Sequence, residues 1–154
     1  MRDDSGVQIE FRNVDAAQPP ASELLSAMVD EMVALYAAPP PAATTSDFAP
    51  PGGTFVVGFD GDEPVCGGGL KPLPDGAAEI KRMYVVPAAR RRSLARMLLG
   101  ALEDAARALG YAVVRLDTGP RQPHAQALYE SAGYVAIANY NANAVAAFWG
   151  EKRL

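Results

Sequence analysis

An arginine-rich segment at the start of a helical pattern constrains this chain more than any other feature. Within residues 90–109, apolar side chains recur at spacings of three and four and predict one buried helix face, namely Leu94, Met97, Leu98, Ala101, Leu102 and Ala105. The apolar segment 83–86 precedes this pattern and Gly110 closes it. Helix starts favour acidic side chains, yet the predicted first turn holds three arginines and no acid. Because free backbone N–H groups and guanidinium groups both attract phosphate, the segment predicts a phosphate-binding helix start.

The remaining patterns predict an α+β protein, a mixed sheet with a few helices, in one domain spanning residues 1–154. Strands are predicted at residues 7–11, 54–59, 64–73, 78–86, 112–118, 134–138 and 145–152. Ser22 is expected to cap a first helix that ends before Pro39, and Pro123 to start a short helix that ends at Gly133. The strand–helix–strand order around residues 90–109 implies that its two flanking strands pair in parallel.

Two irregular stretches interrupt these patterns. Residues 37–53 are rich in proline, alanine, threonine and serine and predict a loop, which is either a surface connection or a loop that covers a substrate. Residues 66–69, Cys-Gly-Gly-Gly, lie inside a predicted strand, where glycines indicate a bulge or the close approach of another group.

Composition argues against several classes of partner. A formal net charge of −4 disfavours nucleic acid and anionic membranes, and no aromatic residues interleave with the basic ones. The acidic N-terminal residues do not resemble a signal peptide, and no apolar run approaches the roughly 18 residues of a membrane span. We therefore expect a cytoplasmic protein. With one cysteine, Cys66, and one histidine, His124, we expect no internal disulfide and no metal site.

Two motifs resemble the GNAT superfamily of acyl-CoA-dependent N-acetyltransferases. Arg90–Ala95 is similar to the signature Gln/Arg-x-x-Gly-x-Gly/Ala, with Ser93 in place of the first glycine. The later motif Ala-x-x-Leu-Tyr-Glu-x-x-Gly-Phe/Tyr is matched by Ala125, Leu128, Tyr129, Glu130, Gly133 and Tyr134. With residues 66–70 and 148–152, the resemblance extends from residue 54 to the C-terminus. It implies the GNAT fold, a mostly antiparallel sheet with one parallel strand pair around the cofactor helix.

The resemblance implies acetyl-CoA as the acetyl donor and no metal. The residues expected to bind coenzyme A are Met83, Tyr84, Val85, Arg90, Arg91, Arg92, Ser93, Leu94, Ala95, Arg96 and Gln122. Amides of residues 91–96 would hold the pyrophosphate, and amides of residues 83–85 the acetyl carbonyl and pantetheine arm. The Cβ of Ser93 is expected to hold the backbone slightly further from the phosphate than glycine would.

Three side chains are candidates for proton transfer. The resemblance assigns Tyr129 to protonate the thiolate leaving group, whereas its position on an apolar helix face alone predicts a core tyrosine. Glu79 is the first candidate for the general base, with a surface salt bridge as the alternative. His124 is the second, with an ordinary exposed histidine as the alternative. Cys66 is predicted to be buried in a strand, so we expect direct attack of the amine rather than an acetyl-cysteine intermediate.

These features predict an N-acetyltransferase that moves acetyl from acetyl-CoA to a primary amine of a small molecule or peptide in a ternary complex. The alternative is a non-catalytic acyl-CoA-binding sensor or structural module. The acceptor pocket is expected between residues 16–53 and the final strands, with Tyr140, Asn141 and Asn143 in its lining. The acceptor itself is left open, and pairing of the terminal strands would allow a homodimer.

Overall fold

The computed structural model describes residues 1–40 and 44–154. In that part of the chain, seven strands form one sheet: β1 (Ile9–Val14), β2 (Thr54–Asp60), β3 (Glu63–Pro72), β4 (Ala78–Val85), β5 (Val113–Thr118), β6 (Val135–Ala136) and β7 (Phe148–Arg153). Three α-helices accompany it: α1 (Ala21–Tyr36), α2 (Leu94–Ala108) and α3 (Pro123–Ser131). Two short 3-10 helices span Thr45–Phe48 and Pro87–Ala89.

The sheet has the order β1-β2-β3-β4-β5-β7-β6, and only β4 and β5 pair in parallel within the described residues. This confirms the predicted mixed sheet and its parallel pair on either side of α2. The parallel pairing is short, because it joins only Ala78 to Val114 and Glu79 to Arg115. Strand β4 continues to Val85 without β5 beside it, so the two strands separate after Glu79.

A bulge distorts β4 opposite the glycine run of β3. Gly67 pairs with Tyr84 and Gly69 pairs with Lys81, so Gly68 alone stands opposite two residues of β4. One of those two, Arg82, has φ of +61°, outside the extended region of regular strands. The predicted irregularity at residues 66–69 is therefore confirmed.

Helices α1 and α2 pack on opposite faces of the sheet. Alternate residues of β2 point to opposite faces, and Val56 belongs to the cluster around α2, whereas Phe55 and Val57 belong to the cluster around α1. Four residues of the predicted α2 face are buried, namely Leu94, Met97, Leu98 and Leu102. The predicted Ala101 and Ala105 are only half-buried, whereas Leu99 and Ala106 are buried in addition. Each large side chain of this kind stabilises the fold by about 1.5–3 kcal/mol.

The start of α2 differs from the prediction. The helix begins at Leu94, and Arg90–Ser93 form a loop after the 3-10 helix Pro87–Ala89. Arg91 and Ser93 have φ of 65° and 61°, values that a right-handed helix cannot accommodate. Three of the four arginines in this region therefore lie before the helix, and only Arg96 lies in its first turn.

Other boundaries also differ from the sequence-based ones. Helix α1 begins at Ala21, with Pro20 as its N-cap and no capping side chain, so Ser22 lies inside the helix. Strand β1 starts at Ile9 rather than residue 7, because the preceding residues turn around the carboxylate of Asp3. The last two strands are shorter than predicted and span residues 135–136 and 148–153, because a loop held by side-chain hydrogen bonds separates them.

The predicted loop at residues 37–53 is present, although its residues 41–43 lie outside the described part of the chain. Thr45–Phe48 form a 3-10 helix, and the ring of Phe48 is buried against Gly69. The same loop lines the cavity described below with residues 38–40. Among the described residues, no helix is long and apolar enough to cross a membrane.

Candidate active site

A cavity opens where β4 and β5 separate. Its lining is Ile80–Met83 of β4, Asp117–Gly119 at the end of β5, Gln122, Tyr129 of α3, Met28, Met32 and Tyr36 of α1, residues 38–40, Asn143, Val145 and Ala146. Side chains of a regular strand alternate between its faces, whereas four consecutive residues of β4 reach this cavity. The bulge at Arg82 accounts for this, because the extra residue breaks the alternation.

The edge of β4 that faces the cavity is open. Pairing with β5 stops at Glu79, so the backbone groups of residues 80–85 that point toward β5 have no strand beside them. An open edge of this kind accepts an extended chain through added strand-type hydrogen bonds. Met83, Tyr84 and Val85, predicted to bind a pantetheine arm, all lie on this edge, and Met83 also lines the cavity.

Tyr129 of α3 places a phenol in the lining of this cavity. Its helix begins with Pro123 and buries the Tyr129 side chain, while the hydroxyl lies 3.8 Å from the sulfur of Met83. The ring packs edge to face on Tyr134, with centroids 6.0 Å apart. Burial, with a smaller contribution from the negative charge of Asp117, raises the pKa of Tyr129 to about 12. The phenol therefore stays protonated at neutral pH.

Glu79 is buried behind the cavity wall, with 1% of its surface exposed. The hydroxyl of Tyr140 donates to its Oε2 at 2.6 Å, and Nδ2 of Asn141 donates to the same oxygen at 3.0 Å. Nζ of Lys81 lies 3.6 Å from Oε1. Glu79 thus has a cationic partner, but its side chain is buried. The alternative interpretation, a salt bridge at the surface, is therefore wrong.

Asp117 is the acidic side chain in the cavity lining, and our sequence analysis did not single it out. Its Oδ2 accepts hydrogen bonds from Nδ2 of Asn141 at 2.5 Å and Nδ2 of Asn143 at 3.1 Å. Because Asn141 donates to both Glu79 and Asp117, one amide joins the two carboxylates. The sequence did place an acid near the end of an apolar strand, two residues before the break at Gly119-Pro120, and this could have identified it.

The other predicted polar residues divide into two groups. Asn143 lines the cavity as expected, whereas Tyr140 and Asn141 lie behind it and hold the carboxylates. Gln122 also lines the cavity, and its Oε1 accepts a hydrogen bond from the hydroxyl of Tyr36 at 3.2 Å. His124 is exposed near the start of α3 and does not contribute to the lining.

Cys66 is buried in β3, as predicted. Burial raises the pKa of its thiol to about 12, so the thiolate required of a nucleophile is not available at neutral pH. Cys66 is therefore not poised as a nucleophile.

The start of α2 offers backbone donors to an anion. The first hydrogen bond along this helix runs from the amide of Met97 to the carbonyl of Ser93, at 3.2 Å. Helix geometry leaves the amides of residues 94–96 without intrahelical acceptors, as an anion site requires. Ser93 occupies the left-handed conformation that glycine adopts most easily, which explains why the similar family signature carries glycine at this position.

The arginine side chains before α2 are held by carboxylates of this chain. Arg92 donates to Asp3 at 2.5 Å and to Asp60 at 3.1 Å. Arg90 donates to Glu31 at 2.6 Å. Part of the cationic charge predicted to neutralise a phosphate is therefore already balanced within the protein.

Asp3 organises the N-terminal turn that supports this loop. Its Oδ1 accepts hydrogen bonds from the amide and hydroxyl of Ser5 and from the amide of Val7. These bonds, the one from Ser5 first, together with Arg92 lower the pKa of Asp3 to about 2. The hydroxyl of Ser93 donates to Asp4, and the amide of Asp4 donates to the carbonyl of Arg92. With the Arg92–Asp3 pair, the N-terminal turn thus contacts the loop Arg90–Ser93, called the phosphate loop below, three times. Sequence patterns did not indicate these contacts.

No group of three or more histidine, cysteine, aspartate or glutamate side chains that could hold a metal occurs among residues 1–40 and 44–154.

Comparisons with known proteins agree with this geometry. The profile of the acetyltransferase (GNAT) family matches residues 21–134. An IAA acetyltransferase from Azospirillum brasilense is 41% identical over 69 residues, which is 45% of either chain. The uncharacterized N-acetyltransferase YjgM of Escherichia coli is 35% identical over 94 residues, 58% of this chain and 56% of that one. The matches thus span about half the length of these curated relatives.

Solved structures match over nearly the whole chain. A candidate acyl-CoA N-acyltransferase from Klebsiella pneumoniae has a TM-score of 0.78 at 26% identity, with 96% of this chain and 98% of that chain covered. A GNAT acetyltransferase from Elizabethkingia anophelis, solved with acetyl-CoA bound, has a TM-score of 0.66 at 16% identity, with 95% and 98% covered. The fold is therefore that of the GNAT acyl-CoA N-acyltransferases.

Proposed function

Because the chain belongs to the GNAT acetyltransferase family, we propose that it transfers the acetyl group of acetyl-CoA to a primary amine by direct attack in a ternary complex. The observation that carries this proposal is the buried hydroxyl of Tyr129 in a cavity bordered by the open edge of β4. A donor lying along that edge and an acceptor in the same cavity would meet beside this hydroxyl.

The donor would be held at two places. The free amides at the start of α2 would bind its pyrophosphate, and Arg91 and Arg96 would supply positive charge that no carboxylate of the described residues balances by an ion pair. The open edge of β4 at residues 83–85 would bind the pantetheine arm and orient the acetyl carbonyl. Gln122, held by Tyr36, would contact the same arm.

Tyr129 would then protonate the leaving group. The amine nitrogen bonds to the acetyl carbon, the carbon–sulfur bond breaks, and the sulfur takes the proton of the phenol, which solvent later restores. A phenol with a pKa raised to about 12 retains its proton until the thiolate forms. General acid catalysis of this kind contributes roughly 10²–10⁴-fold to the rate.

A base must also take a proton from the ammonium form of the acceptor, so that the neutral amine can attack. Glu79 lies behind the cavity lining, so a bridging water would be needed to connect it to an acceptor. His124 is exposed and outside the lining, and would serve only through a longer path. Glu79 is therefore the preferred candidate of the two.

Release of free thiol from acetyl-CoA, measured across a panel of amines, tests the proposal. In Tyr129→Phe we expect kcat to fall by about 10²–10⁴-fold with the Kd for coenzyme A unchanged, because only the proton is removed. Tyr111→Phe is the matched control, since it removes a phenol that bonds to the carbonyl of Gly52 away from the cavity. If calorimetry shows coenzyme A binding but no amine stimulates thiol release, the protein is a non-catalytic acyl-CoA-binding module. Full activity in Tyr129→Phe would reject the assigned acid.

A further inference from the structure

The cavity lining carries charges of both signs. Lys81 and Arg82 lie on β4, and Asp117 lies on β5, where the two strands have separated. The bulge at Arg82 brings the two cationic residues into the same cavity although they are adjacent in the chain. A ligand that carries both a positive and a negative group matches this lining, whereas a ligand with one kind of charge matches only part of it.

Asp117 is held in place to receive a cation. Both of its amide hydrogen bonds, from Asn141 and Asn143, fall on Oδ2, so Oδ1 is the oxygen through which the carboxylate can bind a ligand. The two amides fix the orientation of the carboxylate without neutralising its charge. An ammonium group that donates to Asp117 would form a charge-assisted hydrogen bond, which is stronger than a neutral one.

Lys81, on β4, is placed to receive an anion. Its Nζ lies 3.6 Å from Oε1 of Glu79, which is an ion pair but too long for a good hydrogen bond. The ammonium of Lys81 therefore keeps donors for a ligand. Arg82 adds a second positive charge to the cavity lining; burial lowers the pKa of its guanidinium, and the negative charge of Asp117 raises it.

The remaining walls are largely apolar. Met28 and Met32 of α1 line one side, and Val145 and Ala146 line another. Methionine side chains adapt to apolar groups of different shape. The charged groups and these walls together describe a compact ligand with one apolar substituent.

We infer that the acceptor is an apolar α-amino acid, bound with its ammonium at Asp117 and its carboxylate at Lys81 and Arg82. The inference rests on the proposed acetyl transfer and narrows its acceptor. A polyamine would bring further positive charge toward Lys81 and Arg82. A protein N-terminus would lack the free carboxylate.

Three acceptors that share one side chain test the inference on the unmodified protein. L-methionine, L-methioninamide and 3-(methylthio)propylamine differ in the carboxylate, and spermidine represents the polyamines. We expect kcat/KM for L-methionine to exceed that for its amide and for the decarboxylated amine by at least about tenfold, the effect of one charge-assisted hydrogen bond. The amide has the less basic amine, so a difference in nucleophile protonation alone would favour the amide.

Two variants locate the groups responsible. In Lys81→Gln we expect the preference for the acid over the amide to fall to within about threefold, through KM rather than kcat. Lys81→Arg keeps the charge and should keep the preference, and Lys71→Gln, on β3 outside the cavity, should leave it unchanged. Asp117→Asn should raise KM for all three acceptors with the Kd for coenzyme A unchanged.

The outcomes separate this inference from the proposed function. Efficient acetylation of the amide or of spermidine, with L-methionine no better, would overturn the inference and leave the N-acetyltransferase assignment intact. An unchanged preference in Lys81→Gln would also overturn it. Absence of acetylation with every amine would instead overturn the proposed function itself.

Discussion

Ser93 provides the sharpest test of how the phosphate loop is built, because it departs from the glycine of the family signature. Its φ of 61° is left-handed, a conformation that costs a residue with a Cβ roughly 1–2 kcal/mol. Ser93→Ala and Ser93→Gly both remove the hydroxyl that donates to Asp4. The two variants therefore differ only in the Cβ, and comparing them isolates the cost of the left-handed conformation.

The two variants should differ in their free energy of unfolding. Glycine relieves the strain but adds about 0.4–1 kcal/mol of conformational entropy to the unfolded chain, so a net gain of about 0.5–1 kcal/mol remains for Ser93→Gly over Ser93→Ala. For a domain of this size, about 1 kcal/mol corresponds to about 2–4 °C in Tm. Urea and thermal unfolding of the two variants measure this difference. Ala101→Gly, inside the right-handed α2, is the control and should lower stability by about 1 kcal/mol.

Binding of coenzyme A to the same variants tests whether the Cβ of Ser93 affects the affinity for the cofactor. Because Ser93 already holds the backbone in the conformation that glycine would adopt, Ser93→Gly should change the Kd by less than about threefold, equivalent to under 1 kcal/mol. Two results would refute the reasoning: equal stability of Ser93→Gly and Ser93→Ala, or a tenfold change in Kd without a change in stability. The first result would mean that the conformation at residue 93 is not strained, and the second that the Cβ of Ser93 acts on the phosphate rather than on the loop conformation.

Three further predictions concern the framework of the site. Gly69→Ala should lower the free energy of unfolding in urea by about 1–3 kcal/mol, because its Cβ would lie 2.4 Å from the buried ring of Phe48. Gly100→Ala is the control and should raise this free energy by about 0.5–1 kcal/mol, because the space around Gly100 is open. Equal effects of the two substitutions would contradict the packing of Phe48 on Gly69. The fold lowers the pKa of Asp3 to about 2, so the stability that its carboxylate contributes is present above pH 4 and is lost as the pH falls through 2. Tm measured from pH 5 to 2 should therefore depend less on pH in Asp3→Asn than in the unmodified protein. An unchanged pH dependence would argue against the turn around the Asp3 carboxylate. Cys66 should react with a thiol reagent only at the rate of unfolding, so rapid labelling of the native protein would disprove its burial.

Local patterns were sufficient for the order and type of the helices and strands, although not for their ends, and for the position of Tyr129 in the site. Hydrophobic periodicity of 3.6 residues identifies α2, and alternation or apolar runs identify the strands, because these periods follow from backbone geometry alone. Strand–helix–strand order then implies the parallel pair β4/β5. The position of Tyr129 follows from a local motif, since a short helix that begins with Pro123 must place it on the face that packs inward.

Tertiary structure decided which charges meet. Asp117 and Asn141 are 24 residues apart, and Asp3 and Arg92 are 89 apart, distances over which no sequence period links two side chains. The bulge that brings Lys81 and Arg82 into one cavity also depends on β3, since it exists only as a mismatch in register between two strands. The sequence by itself thus determined the elements and the helix that offers free amides to an anion. Only packing of distant segments decided that a fixed carboxylate and two cations line one cavity with Tyr129, because such contacts depend on how the sheet assembles.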